Sequence, residues 1–204
     1  MTDWRQRTVD TYDQSAGELA EYFKGIGPRV EDIRLAFDLA GNPKDARVVE
    51  IGCGDGRDAI EILKYAEHYL GFDISKKLID IAKDKAPSGK FVVADATEFV
   101  FEDELDIVFA FASLLHLNKK EVKSVCAKVC AALKEGGVFY ISVKSAPRYH
   151  QEIKKDKYGE RLFYFYNDDL MKGLVGDGFV VSKLWHKMVG STDWLEIILK
   201  KAIR

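Results

Sequence analysis

RVVEIGCGDGRDAIEILK, residues 47–64, decides how the rest of this 204-residue chain is read. Val48, Val49, Glu50 and Ile51 form a short, β-branched run of the kind a doubly buried parallel strand carries. Gly52, Gly54 and Gly56 then interrupt it, and glycines let a chain turn through positive φ and bring bare backbone against a ligand. Ala59, Ile60, Ile62 and Leu63 follow at helical spacing, so the N-terminal amides of that helix are expected to face the crevice the loop makes. Strand, glycine loop and helix together read as a ligand site; the alternative is a plain tight turn.

Outward from this unit, strands and helices alternate. Strands are expected near 46–51, 69–73, 90–95, 105–111 and 137–143, with helices near 57–66, 75–85 and 119–134 and a short helical turn after Asp95. Asn118 with Glu121 resembles a capping box at the start of the third helix. The alternation predicts an α/β domain with a parallel sheet, right-handed crossovers and helices on both faces. After Lys144 it pauses over residues 145–166, a charged and aromatic stretch that reads as an insertion on the substrate side. Asn167 then suits the cap of a helix over 168–175, and strands at 179–187 and 194–201 follow around Gly190–Asp193. So short a turn joins only antiparallel neighbours, so the last strand must run against the sheet. Upstream, residues 3–24 form an amphipathic pattern carrying Tyr12, Leu19, Tyr22 and Phe23, broken at residues 25–28, and Pro28 suits the start of a second helix to Ala40. These two leading helices, within residues 1–40, are either a lid over the crevice or packing on the sheet edge.

Composition fits one domain over residues 1–204: 47% hydrophobic and 31% charged residues support a substantial core. A formal net charge of −2 argues against a chain that works mainly on polyanions, so nucleic acid is not favoured as a partner. Cys53, Cys126 and Cys130 lack CxxC spacing and read as free thiols in a reduced compartment, with no metal site expected. No apolar run reaches the length of a transmembrane helix, and the polar start is no signal peptide; the expectation is a soluble cytoplasmic protein without membrane contact, monomer or homodimer.

Parallel α/β sheets bind ligands beyond the carboxyl ends of their strands. Those ends carry Glu50–Gly56, Asp73, Asp95 and Ala110–Phe111. An acid about twenty residues after a glycine loop, as Asp73 is, accepts hydrogen bonds from ribose hydroxyls, in a nicotinamide dinucleotide or in S-adenosylmethionine alike. The dinucleotide pattern GxGxxG would need glycine where Arg57 stands, whereas GxGxG is satisfied by Gly52, Gly54 and Gly56. Glu50 and Asp95 also suit a ligand bearing a sulfonium and an ammonium better than one bearing a pyrophosphate.

VVEIGCGDG, GFDIS around Asp73, VADATEF around Asp95, DIVFAFASLLHL from Asp106 and LKEGGVFYISVK from Leu133 resemble the Rossmann-like class I S-adenosylmethionine-dependent methyltransferases, over roughly residues 40–204. The resemblance implies a doubly wound, mostly parallel seven-stranded sheet of order 3-2-1-4-5-7-6 with an antiparallel last strand. It also implies S-adenosyl-L-methionine as cofactor and S-adenosyl-L-homocysteine as product. Carried over by position, Gly52, Gly54 and Gly56, with Cys53 among them, would let backbone approach the methionine and ribose portions, and Glu50 would fix the loop. Asp73 would hold the ribose hydroxyls with Ile74 against the adenine. Asp95 and the Ala96 amide, beside Thr97, would read the adenine edge, and Ala110, followed by Phe111, would offer its carbonyl to the ammonium. Tyr12 resembles a tyrosine folded over the cofactor by members with a leading helix.

Methyl transfer from a sulfonium already has a good leaving group, so alignment and desolvation are the protein's main tasks and a general base is optional. His116, just past the fourth strand, is the candidate base or substrate contact; a structural histidine is the alternative. His68, His150 and His186 read as incidental. Phe163–Tyr166 are expected to alternate between core and pocket, and Lys154, Lys155, Lys157 and Arg161 to be a solvated insertion or a contact for an anionic substrate. No NPPY tetrapeptide or proline-cysteine pair follows the fourth strand, which disfavours nucleic-acid base methylation. The reading is a methyltransferase for a small-molecule O, N or S acceptor. The alternatives are a protein or RNA methyltransferase, with an open basic crevice, or a non-catalytic binder of the cofactor.

Overall fold

In this computed structural model, which describes residues 3–203, β1 (Arg47–Ile51) runs through the middle of the sheet and is buried along Val48–Ile51. β2 (His68–Asp73) and β4 (Leu105–Phe111) flank it in parallel register, Val49 opposite both Leu70 and Val108. β3 (Lys90–Val93) extends the sheet on one side and β5 (Leu133–Lys144) on the other. β9 (Thr192–Lys201) pairs antiparallel with β5, and β8 (Phe179–Val189) antiparallel with β9, giving the order β3-β2-β1-β4-β5-β9-β8. Because two further strands precede β8 and β9 in the chain, this is the order expected from the sequence, with β9 the reversed strand. The reversal at β1, where the order turns from β2 toward β4, opens the crevice at the carboxyl ends.

Helices cover both faces. α6 (Lys119–Ala132) and α7 (Asp168–Val175) bury Val122, Val125, Val129 and Met171 against one face. α3 (Val30–Leu39) and α5 (Lys76–Lys85) bury Ile33, Phe37, Ile79 and Ala82 against the other. The capping box forms as expected: the Asn118 side chain accepts from the Lys120 and Glu121 amides, while Glu121 Oε2 accepts from the Asn118 amide at 2.8 Å. Among the described residues no helix is long and apolar enough to cross a membrane.

Four local expectations need correction. The first leading helix is two, α1 (Asp3–Gln14) and α2 (Ala16–Ile26), so three helices precede β1. The axis breaks at Ser15, where Ser15 and Gly17 weaken the helix and Ser15 Oγ donates to the Tyr158 carbonyl at 2.7 Å. The helix after the glycine loop, α4, is a single turn (Ala59–Ile62), so the acids around the crevice matter more there than a helix end. β5 begins at Leu133, four residues early, because Leu105 pairs with Leu133 before a register shift in β4. The stretch after Lys144 is an antiparallel hairpin, β6 (His150–Asp156) and β7 (Gly159–Phe165). It packs on α1: Thr11 Oγ1 donates to the Glu160 carbonyl at 2.8 Å, and Thr8 Oγ1 accepts from the Leu162 amide at 3.0 Å.

Candidate functional site

The strand ends open into one cavity of about 620 Å³, within the range of small-ligand pockets. α1, α2 and the start of α3 cover it: Arg5, Thr8, Val9 and Tyr12 face it at helical spacing, and Tyr22, Phe23 and Ile26 extend the cover.

The glycine loop forms the floor. The Gly52 and Cys53 amides both donate to the Phe72 carbonyl, at 2.7 and 3.0 Å, fastening the loop to β2. Gly52, Gly54 and Gly56 all hold positive φ. A Cβ on Gly52 would lie 2.3 Å from the Ser113 Cβ, and one on Gly56 3.1 Å from the Ala82 Cα; at Gly54 nothing lies within 4 Å. Two of the three glycines therefore serve packing, and Gly54 presents bare backbone to open space.

Asp73 ends β2 beside that opening. Its Oδ2 accepts from the Gly54 amide at 3.0 Å and its Oδ1 from the Ser75 amide at 2.8 Å. Burial pushes the carboxyl up to about 6, against the pull of these two amides. Asp95 is engaged differently. Arg5 Nη2 reaches its two oxygens at 2.5 and 2.7 Å, Arg5 Nη1 bonds Glu121 at 2.8 Å, and Thr97 donates to Asp95 through both amide and hydroxyl. Asp13 accepts from the Ser75 hydroxyl at 2.6 Å, so α1 is pinned at Asp95 and at Ser75, two residues past Asp73.

Glu50 is buried at the end of β1 and accepts from the Tyr69 hydroxyl at 2.6 Å. Burial and the nearby Asp58 charge hold its carboxyl well above the usual range. Asp58 is pushed up by burial too, but Arg29 and Arg57 outweigh this and hold it low. Both guanidiniums bond it, and they lie over aromatic rings, Arg29 over Phe111 and Arg57 over Phe23, which ties the loop to the covering helices.

His116 sits in a short 3₁₀ turn, Leu114–His116, after β4. Its Nδ1 lies 2.7 Å from the Leu162 carbonyl, which can only accept, so Nδ1 carries the hydrogen and the bare Nε2 accepts from the Tyr12 hydroxyl at 2.8 Å. Burial, then the charges of Arg161 and Lys144, bring His116 down to about 4, and burial raises the Tyr12 phenol. The pair is neutral near pH 7.

Of the residues singled out from sequence, Tyr12, Glu50, Gly52, Cys53, Gly54, Asp73, Ile74, Asp95, Ala96, Phe111 and His116 line the cavity. Gly56, Thr97 and Ala110 are not among the lining: Gly56 packs on α5, Thr97 supports Asp95, and Ala110 is fully buried in β4. The aromatic run 163–166 does not reach the cavity either; Leu162 does. Phe163 packs on His116, Tyr164 stacks on Tyr149, Phe165 stacks on His150, and Tyr166 donates to the Leu117 carbonyl. Lys154, Lys155 and Arg161 pair with Glu152, Glu160 and Asp156 of the hairpin itself, and Lys157 lies over the ring of Tyr158. Sequence reasoning missed Arg5, Asp13, Arg29 and Asp58, together with Ser142 and Glu196. Carboxylates outnumber cationic side chains around the cavity. Among the described residues no cluster of three or more potential metal ligands occurs.

A glycine-floored crevice with an acid at each of its first three strand ends, on this sheet order, is the arrangement that the resemblance to class I S-adenosylmethionine-dependent methyltransferases implies. Residues 48–137 match the family model described as a methyltransferase domain, and the chain carries a methyltransferase domain of that class. It is 32% identical over 118 residues to a magnesium-protoporphyrin O-methyltransferase of Rhodobacter capsulatus, covering 55% of this chain and 50% of that protein. It is 30% identical over 159 residues to phosphoethanolamine N-methyltransferase 1 of Triticum aestivum, covering 71% of this chain and 31% of that one. The chain thus spans half or less of these curated relatives. Its fold matches the crystal structure of an S-adenosylmethionine-dependent methyltransferase from Methanosarcina mazei with TM-score 0.72 and 20% identity, over 79% of this chain and 95% of the other.

Proposed function

We propose that this chain binds S-adenosylmethionine across the glycine loop and transfers its methyl group to a small-molecule acceptor. The observation that carries the reading is the convergence of Glu50, Asp73 and Asp95 with the open backbone of Gly54 on one covered cavity. The residues present fit the cofactor. Asp73 spends its hydrogen bonds on two backbone amides and keeps acceptor capacity for two hydroxyls. The excess of carboxylates suits a ligand with a sulfonium and an ammonium.

The cofactor would supply an electrophilic methyl on a good leaving group. Asp73 holds the ribose, Ile74 and Ala96 bound the adenine, and Glu50 and Gly54 set the loop around the methionine portion. The leading helices act as the lid, excluding water so that the acceptor meets the methyl in a dry, aligned site. Tyr12 and His116 face the same space as a neutral donor–acceptor pair that would position the acceptor rather than deprotonate it. A covered, carboxylate-rich cavity favours a small acceptor over protein or RNA, which calls for an open basic crevice.

Calorimetry with S-adenosylmethionine and S-adenosylhomocysteine tests the proposal. Binding in the micromolar range, on the order of −8 kcal/mol, is expected. Absence of binding to either compound refutes it, and binding without turnover across a broad acceptor panel supports a non-catalytic role.

A further inference from the structure

One end of the cavity lies away from the acids at the ends of β1, β2 and β3. There Ser142 of β5 and Glu196 of β9 stand directly opposite each other across the antiparallel pair. Trp194, two residues before Glu196, shares its face, and Asp32 and Arg29 approach from the α3 side.

Glu196 is only 5% exposed. Its Oε1 accepts from the Ser142 hydroxyl at 3.0 Å, while its buried Oε2 has no hydrogen-bond partner among the described residues. The Tyr140 hydroxyl, which likewise lacks a well-formed hydrogen bond among the described residues, lies beside Glu196 and Asp32 and interacts with both, so a ligand N–H shares Glu196 with a weak phenolic donor. Arg29, whose charge acts on Glu196, is committed to Asp58 through its backbone amide and its side chain. A carboxylate oxygen left without a donor in a cavity wall is costly, and a ligand bearing N–H groups removes that cost. Burial and the adjacent Asp32 charge push Glu196 up to about 7, so a bound cation would favour its charged form. Trp194 and Phe111 add apolar lining to this end.

We propose that this end is the acceptor subsite and that it takes a small amine, whose N–H donates to Glu196 Oε2 beside the carboxylate of Asp32. The inference rests on the methyltransferase reading and narrows its acceptor from oxygen, nitrogen or sulfur to nitrogen. Glu196 is its specificity-determining residue, and an alcohol or thiol of the same shape leaves the second carboxylate uncompensated.

The test uses benzylamine and benzyl alcohol as matched probes, titrated by calorimetry into the protein with and without saturating S-adenosylhomocysteine. Benzylamine is expected to bind at least tenfold more tightly than the alcohol. Glu196→Gln should abolish that preference while S-adenosylhomocysteine affinity stays within twofold. Asp32→Asn, at a half-buried helix position, should weaken the preference severalfold and serves as the second variant if Glu196→Gln does not fold. Equal binding of the two probes, or a preference that survives Glu196→Gln, overturns the proposal. Failure of S-adenosylhomocysteine to bind refutes the methyltransferase reading instead, and the amine question is then decided on the unloaded protein.

Discussion

Replacing Asp73 with asparagine separates what this acid does for the fold from what it does for the ligand. Its carboxyl is shifted up from an ordinary aspartate value to about 6, chiefly by burial. A shift of that size corresponds to about 3 kcal/mol, and the partial exposure of Asp73 reduces this to about 2 kcal/mol. The folded group titrates above the unfolded one, so the native state keeps a proton that the unfolded chain has released. That stabilisation is complete below the unfolded value and is lost as pH rises through about 6. At pH 7.5 asparagine removes the buried charge and recovers about 2 kcal/mol. It also deprives one of the Gly54 and Ser75 amides of its acceptor, which costs about 1–3 kcal/mol. The two nearly cancel, so denaturant unfolding should move by less than about 1 kcal/mol. Ligand binding has no such compensation. Losing one hydrogen bond to a charged acceptor, about 1.5–3 kcal/mol, should weaken S-adenosylhomocysteine binding by about 10- to 100-fold. Wild-type affinity should also fall below pH 6 as Asp73 protonates, and that acid limb should be missing in Asp73→Asn. An affinity within threefold of wild type in a folded variant, or an unchanged acid limb, refutes the assignment.

Four other outcomes are expected. Gly52→Ala forces a Cβ to 2.3 Å from Ser113 at positive φ and should cost about 2–5 kcal/mol in denaturant unfolding; Gly54→Ala meets no atom within 4 Å and should cost about 1–2 kcal/mol while losing ligand affinity. Nitrogen NMR should find His116 as the neutral Nδ1–H tautomer from pH 5.5 upward, because burial lowers it to about 4, and stability should fall as pH drops from about 6.5 toward 4; a midpoint near 6.5 in the folded protein would contradict this. Tyr12→Phe, which leaves Nε2 without its donor, should cost about 1 kcal/mol and raise the His116 midpoint measured in the same spectra. Arg5→Ala removes the pairs to Asp95 and Glu121 and should speed hydrogen exchange of α1 about tenfold, equivalent to about 1.4 kcal/mol; unchanged exchange would mean α1 is held by the hairpin contacts alone.

The sheet and the glycines and acids that line the cavity were legible because their signals are short in sequence. The β-branched run at Val48–Ile51, the glycines at two-residue spacing and the acids at strand ends each follow from local pattern, and the sheet order brings them together. The Asn118–Glu121 capping box and the reversed final strand were legible for the same reason. The kink at Ser15 was not, because its cause is a hydrogen bond to Tyr158, 143 residues away. Arg5 was invisible for a related reason: one arginine on a polar helix gives no sign that it will reach Asp95 and Glu121. Residues 145–166 hid a hairpin because β6 is exposed along nearly its whole length, so apolar alternation was missing there. Glu196 stands in the otherwise apolar run 194–199, where only the pairing of β9 with β5 places it opposite Ser142.

The polarity of α1 explains how it is held over the cavity. Few of its residues are buried, so burial alone does not hold it on the sheet; polar contacts do. Arg5 meets Asp95, Thr8 and Thr11 meet the hairpin, Tyr12 meets His116, and Asp13 meets Ser75. Hydrogen bonds of this kind contribute about 1 kcal/mol each, and the ion pair adds a comparable amount at its partial burial. Together they suffice to keep the helix docked and remain weak enough to be given up for a ligand. Two of these anchors, Asp95 and the segment after Asp73, are groups that an adenosine moiety would contact. A ligand engaging Asp95 competes with Arg5, which can keep Glu121, while Tyr12 and Asp13 hold the rest of the helix in place. Cover and cofactor would therefore draw on the same carboxylate, Asp95, and the cost of opening the site would be set by contacts that the sequence placed on a helix with little core of its own.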